Sequence, residues 1–196
     1  MKNLTKVIAL TASLLASSLY AGNYDGMYFG IGAYQSKIDG MTTTYTAASG
    51  AITSGDVEYK NNNYKALIGK RINNNWSVEA HYFNFSKDSV KITKVVGNNA
   101  ANLTLFDLSG DSLGVVGLYH FNPQASYSPF MKLGWHSWNL KFADTKVKGN
   151  DELYGVGVDG KINETMKYRV EFERMKMKKG KSNSMDNIGV TLLVDF

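Results

Sequence analysis

The sequence predicts an all-β fold, an eight-stranded antiparallel transmembrane β-barrel, on three observations. From Tyr24 onward, short segments alternate apolar residues with polar residues or glycine, and a period of two indicates strands. The connections between these segments are short and long in turn. The apolar face of the segments has aromatic residues toward both of its ends. Tight turns at one end, long loops at the other and aromatic residues at both boundaries are typical of a membrane barrel.

The N-terminal residues 1–21 have the layout of a secretory signal peptide. Two lysines precede an apolar run at residues 7–15, and small residues follow it, as in secretory signals. The run is shorter than the roughly 20 apolar residues that a spanning helix needs. We therefore expect a signal peptide over residues 1–21 and a single β-barrel domain over residues 22–196.

Composition removes several classes of protein. The chain has 12 Tyr, 9 Phe, 3 Trp and 19 Gly but no Cys, so packing and hydrogen bonds alone must hold the fold. After residue 21, no apolar run approaches the length of a spanning helix, which excludes an α-helical membrane protein. Two of the 22 Lys and Arg residues fall in the signal peptide, which leaves 20 basic against 17 acidic residues. This mild excess argues against a nucleic-acid partner.

The first three strands are predicted at residues 27–37, 59–72 and 76–85. In the first strand, glycines alternate with Phe29 and Ile31. The second and third strands flank three consecutive asparagines, which favour a tight turn and therefore a hairpin.

The fourth strand is predicted at residues 112–121, although its apolar residues occupy both faces. A turn that contains Pro123 separates it from the fifth strand, at residues 128–140. A proline does little harm there, because a turn does not need the missing N–H for strand pairing.

The last three strands are predicted at residues 153–162, 167–175 and 187–196. Glycine and valine alternate in the sixth strand, and Arg or Glu alternates with Tyr, Val or Phe in the seventh. The eighth strand has an apolar residue at every second position up to its end. Long polar loops are predicted at residues 38–57, 86–105, 141–150 and 176–186.

The apolar face of the strands is predicted to meet lipid. It has essentially no charge between its ends, and its aromatic residues are near strand ends, as in the interfacial girdles of membrane barrels. We expect one girdle toward the short turns and one toward the loops. Their members are Trp76, Tyr119, Phe121, Tyr168 and Phe196, and Tyr64, Tyr82, Trp135, Tyr154 and Phe172.

The other face carries glycines and charges and is predicted to line the lumen. Because a charge in a low-dielectric interior is costly unless it is paired, we expect a hydrogen-bonded network that closes the lumen, since an eight-stranded barrel is just wide enough for its side chains. Among the residues of this parity, we assign five basic and five acidic residues to the network, together with His81. The charged members are Lys65, Arg71, Lys132, Lys161 and Arg169, and Glu79, Asp159, Glu171, Glu173 and Asp195.

The opening Gly-Met-Tyr-Phe-Gly-Ile-Gly strand, the hairpin at residues 69–79 and the terminal Phe196 carry a resemblance. With the signal peptide, they resemble the eight-stranded outer-membrane β-barrel families related to the OmpA transmembrane domain, OmpX and the opacity proteins. The resemblance covers the whole mature chain and implies the outer membrane of a Gram-negative bacterium. It implies that the barrel insertion machinery reads residues 189–196, although Thr191 stands where the family often has glycine. We expect no peptidoglycan-binding domain and hence no tethering to the cell wall.

Candidate catalytic residues are few, and we expect neither an enzyme nor a cofactor. Some small barrels are lipid A deacylases with a His-x-Ser pair, but His136 and Ser137 are adjacent and must point to opposite faces of a strand. The inward histidines His81, His120 and His136 could converge on a metal ion, but membership of the polar network is the commoner role. No glycine-rich loop supports nucleotide binding.

Basic residues are concentrated near the C-terminal end of the seventh strand. Arg174, Lys176 and Lys178 have the outward parity just beyond Phe172, so we expect them to contact lipopolysaccharide phosphates; a solvated loop tip is the alternative. The expected function is structural or surface-interacting, with outer-membrane lipid and a surface ligand of the outer loops as partners. Two alternatives are a narrow, low-conductance pore and a soluble periplasmic lipocalin-like binding barrel.

Overall fold

The computed structural model describes residues 26–39, 42–46, 52–58, 60–95, 103–142, 145–179 and 181–196. The predicted signal peptide, residues 1–21, lies outside the described residues. The strands are β1 (Met27–Asp39), β2 (Thr42–Thr46), β3 (Ile52–Glu58), β4 (Lys60–Arg71), β5 (Trp76–Val95), β6 (Leu103–His120), β7 (Tyr127–Phe142), β8 (Thr145–Lys161), β9 (Met166–Lys179) and β10 (Lys181–Asp195).

Eight of the described strands close into one antiparallel barrel, which confirms the predicted fold class. Around the barrel the order is β1, β4, β5, β6, β7, β8, β9 and β10, and β10 pairs again with β1. The other two strands form a hairpin, in which β3 also pairs with the C-terminal part of β5. No helix in the described part of the chain is long and apolar enough to cross a membrane.

Two of the tight turns have the same construction. In the turn before β5, the Asn73 side-chain oxygen accepts hydrogen bonds from the backbone N–H groups two and three residues later, both at 2.9 Å. In the turn before β9, Asn163 does the same at 3.0 and 2.7 Å. Both side chains mimic a backbone turn, so an Ile-Asn pair starts each hairpin. The end of the barrel that carries these turns is called the turn end, and the opposite end the loop end.

The strands reach further toward the loop end than the sequence predicts. β5 continues to Val95 and β6 begins at Leu103, although the sequence predicts a loop at residues 86–105. The other three predicted loops also contain strand residues. The loop prediction is wrong there because strand pairing needs only backbone hydrogen bonds, whereas alternation is visible in a sequence only where one face is apolar.

The two faces of the barrel wall differ sharply. On β7, Leu133 and Trp135 are 62% and 67% exposed, whereas Lys132 and His136, which alternate with them, are 4% and 2% exposed. The same alternation runs through β10, where Val190 is exposed and Thr191 is buried. The wall therefore presents an apolar surface outward and directs its charged residues inward.

The barrel interior also contains an apolar cluster, most of whose members lie on the loop-end halves of their strands. The sequence analysis does not predict it. Phe85, Leu108 and Met185 are at most 2% exposed, although the sequence places Phe85 at the end of a strand, Leu108 between a loop and the next strand, and Met185 in a loop. The buried members are Tyr34, Ile38, Phe83, Phe85, Leu108, Val116, Leu118, Phe130, Trp138, Leu140, Leu153, Met175, Met177 and Met185.

Candidate functional site

Four buried charges meet in the middle of the lumen and form what we call the central cluster: Lys65, Lys132, Glu171 and Glu173. Lys65 donates to Glu171 and, at 2.8 Å, to Glu173. Lys132 donates to Glu171 at 2.6 Å and also to Glu173. The lysines come from β4 and β7 and both glutamates from β9, and these strands are not neighbours. The Lys65 pairs therefore span the lumen from β4 to β9, whereas Lys132 reaches Glu173 over Gly155 of the intervening strand β8.

Tyr34 completes the central cluster, and the sequence analysis does not identify it. Its hydroxyl donates to Glu171, and the Lys65 ammonium lies 4.3 Å from the centre of its ring. The ring leans over the backbone of Gly189, where an added Cβ atom would lie 2.3 Å from it. Tyr34 lies at the same alternate positions of β1 as the inward-facing glycines. This alternation could have predicted from the sequence that its side chain faces the lumen.

A second group of buried charges, the arginine cluster, lies nearer the turn end. Arg169 donates to Asp159 at 2.7 and 3.0 Å and to Glu79 at 2.7 Å. The Tyr28 hydroxyl also donates to Glu79, at 2.7 Å. The guanidinium lies 4.5 Å from the centre of the Phe130 ring and the residue is 1% exposed. Arg169 therefore uses its planar, forked donors to hold two carboxylates from different strands.

Charges at the turn-end mouth of the barrel form a third, partly exposed group. Arg71 and Lys167 both contact Asp195, at 2.7 and 3.0 Å. Lys161, a predicted member of the lumen network, is not brought into any of these groups. It is exposed, and its ammonium donates to the carbonyl of Gln124 at 3.2 Å.

Two of the inward histidines, His136 and His120, bind neighbouring polar groups rather than another histidine. His136 contacts the Ser112 hydroxyl and the Lys176 carbonyl oxygen, each at 2.9 Å. His120 lies at the turn end, 3.4 Å from two serine hydroxyls. Ser137 lies on the opposite face from His136. In the described residues, no group of three or more His, Cys, Asp or Glu side chains could hold a metal ion.

Ser112 and His136 form a serine–histidine contact that the sequence analysis does not identify. If Nε2 of His136 donates to the Lys176 carbonyl, Nδ1 is left to accept from the serine hydroxyl. Ser112, however, is 0% exposed and His136 is 2% exposed. A nucleophile needs access to its substrate, so we assign this pair a structural role.

Three buried polar atoms at this level of the barrel have no hydrogen-bond partner: Nε2 of His81, Oε1 of Glu173 and the side-chain nitrogen of Asn187. Glu173 and Asn187 are directly opposite in the pairing of β9 with β10. His81 leans over Gly114, where an added Cβ atom would lie 2.4 Å from its ring. Unpaired polar atoms of this kind are usually bound by an ordered water molecule.

A cavity lies at the turn end. Its volume is about 760 Å³, and it is open to solvent at the mouth of the barrel. Its lining carries charges of both signs: Arg71, Lys161 and Lys167, and Asp159 and Glu164.

The predicted girdle residues all lie on the outward face. At the turn end, Trp76 packs edge-on against Tyr119 with ring centres 5.0 Å apart, and Tyr119 packs likewise against Phe121 at 5.2 Å. Toward the loop end, Tyr64 and Trp135 are 54% and 67% exposed. The remaining members are exposed or half-buried on the same face: Tyr82, Tyr154, Tyr168, Phe172 and Phe196.

The outward basic residues of β9 are largely neutralised by acidic neighbours. Arg174 forms a two-pronged ion pair with Asp186 on β10. Lys178 donates to both carboxylate oxygens of Glu152 on β8, at 2.8 and 2.7 Å. Lys176 also has outward parity and is half-buried.

The chain matches the protein-family model described as "Outer membrane protein beta-barrel domain" over residues 7–196. No curated protein sequence matches the chain.

Solved structures of outer-membrane barrels are similar to this one in fold. Neisserial surface protein A is 16% identical, with a TM-score of 0.59 over 88% of this chain and 98% of that one. The outer membrane protein OprG of Pseudomonas aeruginosa is 14% identical, with a TM-score of 0.60 over 87% of this chain and 97% of that one. At these identities the likeness extends to the fold alone.

Proposed function

The chain belongs to the family of outer membrane protein β-barrel domains, and we propose that it is a sealed barrel with a structural or surface-interaction role. It is a protein of the outer membrane of a Gram-negative bacterium. Such a role uses three parts of the molecule: the closed lumen, the outer loops and the lipid-facing wall.

The single observation that supports the sealed lumen is the central cluster, in which Lys65 of β4 pairs with Glu171 and Glu173 of β9 across the lumen. Its two lysines balance its two glutamates, and all four side chains are at most 4% exposed. The apolar cluster lies beyond it toward the loop end and contains residues with no exposed surface, such as Leu108. An ion crossing the lumen would have to displace both layers.

Planar-bilayer recording of the purified protein tests the sealed lumen. We expect no reproducible openings. A variant with all four residues of the central cluster changed to alanine should also stay closed, because the apolar cluster remains. Adding Phe85→Ala and Leu108→Ala to that variant should produce openings. Reproducible openings in the unaltered protein would contradict the proposal and favour the narrow pore.

The surface-interaction role rests on the loop-end strand extensions. The part of β5 after Phe85 pairs with both β3 and β6, so paired backbone supports the segments that project furthest. Sites for binding are commonly carried on loops above a rigid scaffold. We infer that the outer loops contact a surface ligand and that the protein has no catalytic role.

The outward aromatic residues are proposed to lie at the two lipid boundaries. Trp135 is eight residues from Tyr127 on β7, about 26 Å along the strand and about 20 Å along the membrane normal at a strand tilt of about 40°. This is somewhat less than the height of the apolar band, about 25 Å, so both rings lie near its edges. Phe172 is only four residues from Tyr168, about 13 Å along β9. We therefore place Phe172 within the apolar band rather than in the girdle at the loop end.

Two further partners are proposed. Arg174, Lys176 and Lys178 would contact lipopolysaccharide phosphates near the loop-end boundary, with Lys176 contributing most because acidic side chains hold the other two. Changing Lys176 to Gln and measuring lipid A retention on the purified protein tests this contact. The barrel insertion machinery would read residues 189–196 of β10, whose alternate side chains face outward.

A further inference from the structure

Three buried methionines lie together on the inward face of the hairpin formed by β9 and β10, and we call them the methionine trio: Met175, Met177 and Met185. Met175 and Met185 are directly opposite in the strand pairing, so their Cβ atoms are about 5 Å apart. Met177 has the same inward parity two residues further along β9, about 7 Å from Met175. The three residues are 0%, 4% and 0% exposed. Three thioether side chains therefore leave neighbouring positions on one face of the sheet.

The chemistry of the trio suits a soft metal ion. A methionine side chain is unbranched and has three rotatable bonds, so three sulfur atoms at this spacing can converge on one small ion. Thioether sulfur is a soft, uncharged ligand, and among the first-row metals such ligands select Cu(I). A singly charged ion also loses less hydration free energy than a divalent ion when it enters a low-dielectric interior. The chain has no Cys, so no thiolate competes for the ion.

A carboxylate oxygen without a partner lies one step from the trio along β9. Glu173 is two residues before Met175 on the same inward face and is 0% exposed. Its Oε2 accepts hydrogen bonds from Lys65 and Lys132, whereas its Oε1 has no hydrogen-bond partner. A buried polar atom without a partner is costly, and a cation held by the trio would give Oε1 a favourable neighbour. Apolar packing of the methionines alone leaves this oxygen unexplained.

The barrel wall offers a path to the trio. In the part of the chain that the structure describes, the pairing of β8 with β9 ends at Leu153 and Met175, although both strands continue toward the loop end. Beyond that point a side chain replaces the ladder, because the backbone N–H of Lys178 donates to the Asp151 carboxylate at 2.8 Å. Segments with few backbone hydrogen bonds open more readily than a fully paired ladder. A small ion can therefore reach the trio through this seam while the paired wall below it stays intact.

We propose that the methionine trio binds one soft, singly charged metal ion, with the three thioether sulfurs as its ligands and Glu173 as the nearby negative charge. The ion is Cu(I) or its chemical analogue Ag⁺, and it enters through the seam between β8 and β9. No bond of the protein breaks and no proton is released, because a thioether carries none. The proposal goes beyond the structural or surface-interaction role, since it needs neither the outer loops nor the lipid-facing wall.

The test compares the double variant Met175→Leu/Met185→Leu with the control Met27→Leu/Met131→Leu, which changes one buried methionine at the turn end and one exposed methionine. Leucine conserves most of the volume and the apolar character, and heat-modifiable gel migration verifies folding. Titration calorimetry measures the binding of Ag⁺ to each protein in phospholipid nanodiscs, in a chloride-free buffer. Loss of an outer partner of a metal ligand already costs about 10–100-fold in affinity. Loss of two ligands should therefore weaken binding by at least about 100-fold, and the control should bind Ag⁺ as the unaltered protein does.

Further measurements identify the ligands and the ion. With isotope-labelled methionine methyl groups, Ag⁺ should shift the NMR signals of the trio and leave that of Met27 unchanged. An equal concentration of Zn²⁺ should not compete, because imidazole suits Zn²⁺ and a soft thioether does not. Cu(I) offered from a chromophoric chelator should transfer to the unaltered protein and not to the double variant. If the double variant fails to fold, Met177→Leu alone should weaken Ag⁺ binding by at least about 10-fold.

Three results would overturn the proposal. Unchanged Ag⁺ affinity in the folded double variant, or in Met177→Leu, would leave the trio as apolar packing only. An equal loss of affinity in the control would place the bound ion elsewhere. Competition by Zn²⁺ would assign the ion to a histidine.

Discussion

Replacing Arg169 by methionine should destabilise the barrel more than any other single change to its charged residues. Arg169 makes three hydrogen bonds of 2.7 to 3.0 Å to Glu79 and Asp159, and it is 1% exposed. Methionine keeps most of the apolar stem but leaves both carboxylates without their cation. Glu79 would then retain the Tyr28 hydroxyl as a donor, which does not neutralise its charge.

The expected loss in the free energy of unfolding is about 3–5 kcal/mol, because removing one partner of a buried ion pair leaves an uncompensated charge. If that is the cause, neutralising the two acids should restore stability. The triple variant Arg169→Met/Glu79→Gln/Asp159→Asn should recover to within about 1–2 kcal/mol of the unaltered protein. Lys161→Met is the matched control, since Lys161 has the same parity but is exposed, and it should change stability by less than about 0.5 kcal/mol.

Equilibrium urea unfolding in lipid vesicles measures these differences, with tryptophan fluorescence as the signal and heat-modifiable gel migration as a check on folding. The denaturant slope should stay the same across the set, so that midpoints report stability. The reasoning would be refuted by a loss below about 1 kcal/mol for Arg169→Met, or by a triple variant no more stable than the single one.

Three further changes test other parts of the interior. Gly69→Val should cost at least about 1–3 kcal/mol in unfolding free energy, because its Cβ atom would lie 2.3 Å from the Tyr28 ring; urea unfolding measures this, and a neutral result would mean that the ring can move aside. Phe85→Ala should cost about 3–5 kcal/mol in the same assay by leaving a cavity, and a loss near zero would show that water already reaches the apolar cluster. His81→Phe should be nearly neutral in thermal unfolding, because it removes a buried nitrogen that has no protein partner; a large loss would indicate a bound water molecule worth more than the added apolar contact.

Alternation alone was enough to predict the two faces of the wall. Leu133 and Trp135 face outward, and Lys132 and His136 face inward, because successive side chains of any strand point to opposite sides whatever its neighbours are. The strand number came from the same local pattern. The positions of the strand ends could not be predicted from this pattern, because β5 and β6 continue where neither face is uniformly apolar.

The membership of the candidate site needed more than parity. Lys161 and Lys167 both have the inward parity, yet Lys167 contacts Asp195 while Lys161 is exposed and binds a turn carbonyl. Their difference is one of height along the barrel axis, which depends on how far each strand is shifted against its neighbours. That shift is a property of the closed sheet, and the sequence of a single strand does not determine it.

The sequence by itself determined that this chain forms an eight-stranded barrel, with an apolar outside and charged residues inside. Only the tertiary structure decided which charges meet, because Lys65, Lys132 and Glu171 come from strands that are not neighbours and make contact only when the barrel closes. It also decided that apolar side chains such as Phe85 and Leu108 fill the interior toward the loop end. They are buried because apolar side chains of strands on the other side of the lumen pack against them. The sequence of one strand does not show which side chains those are.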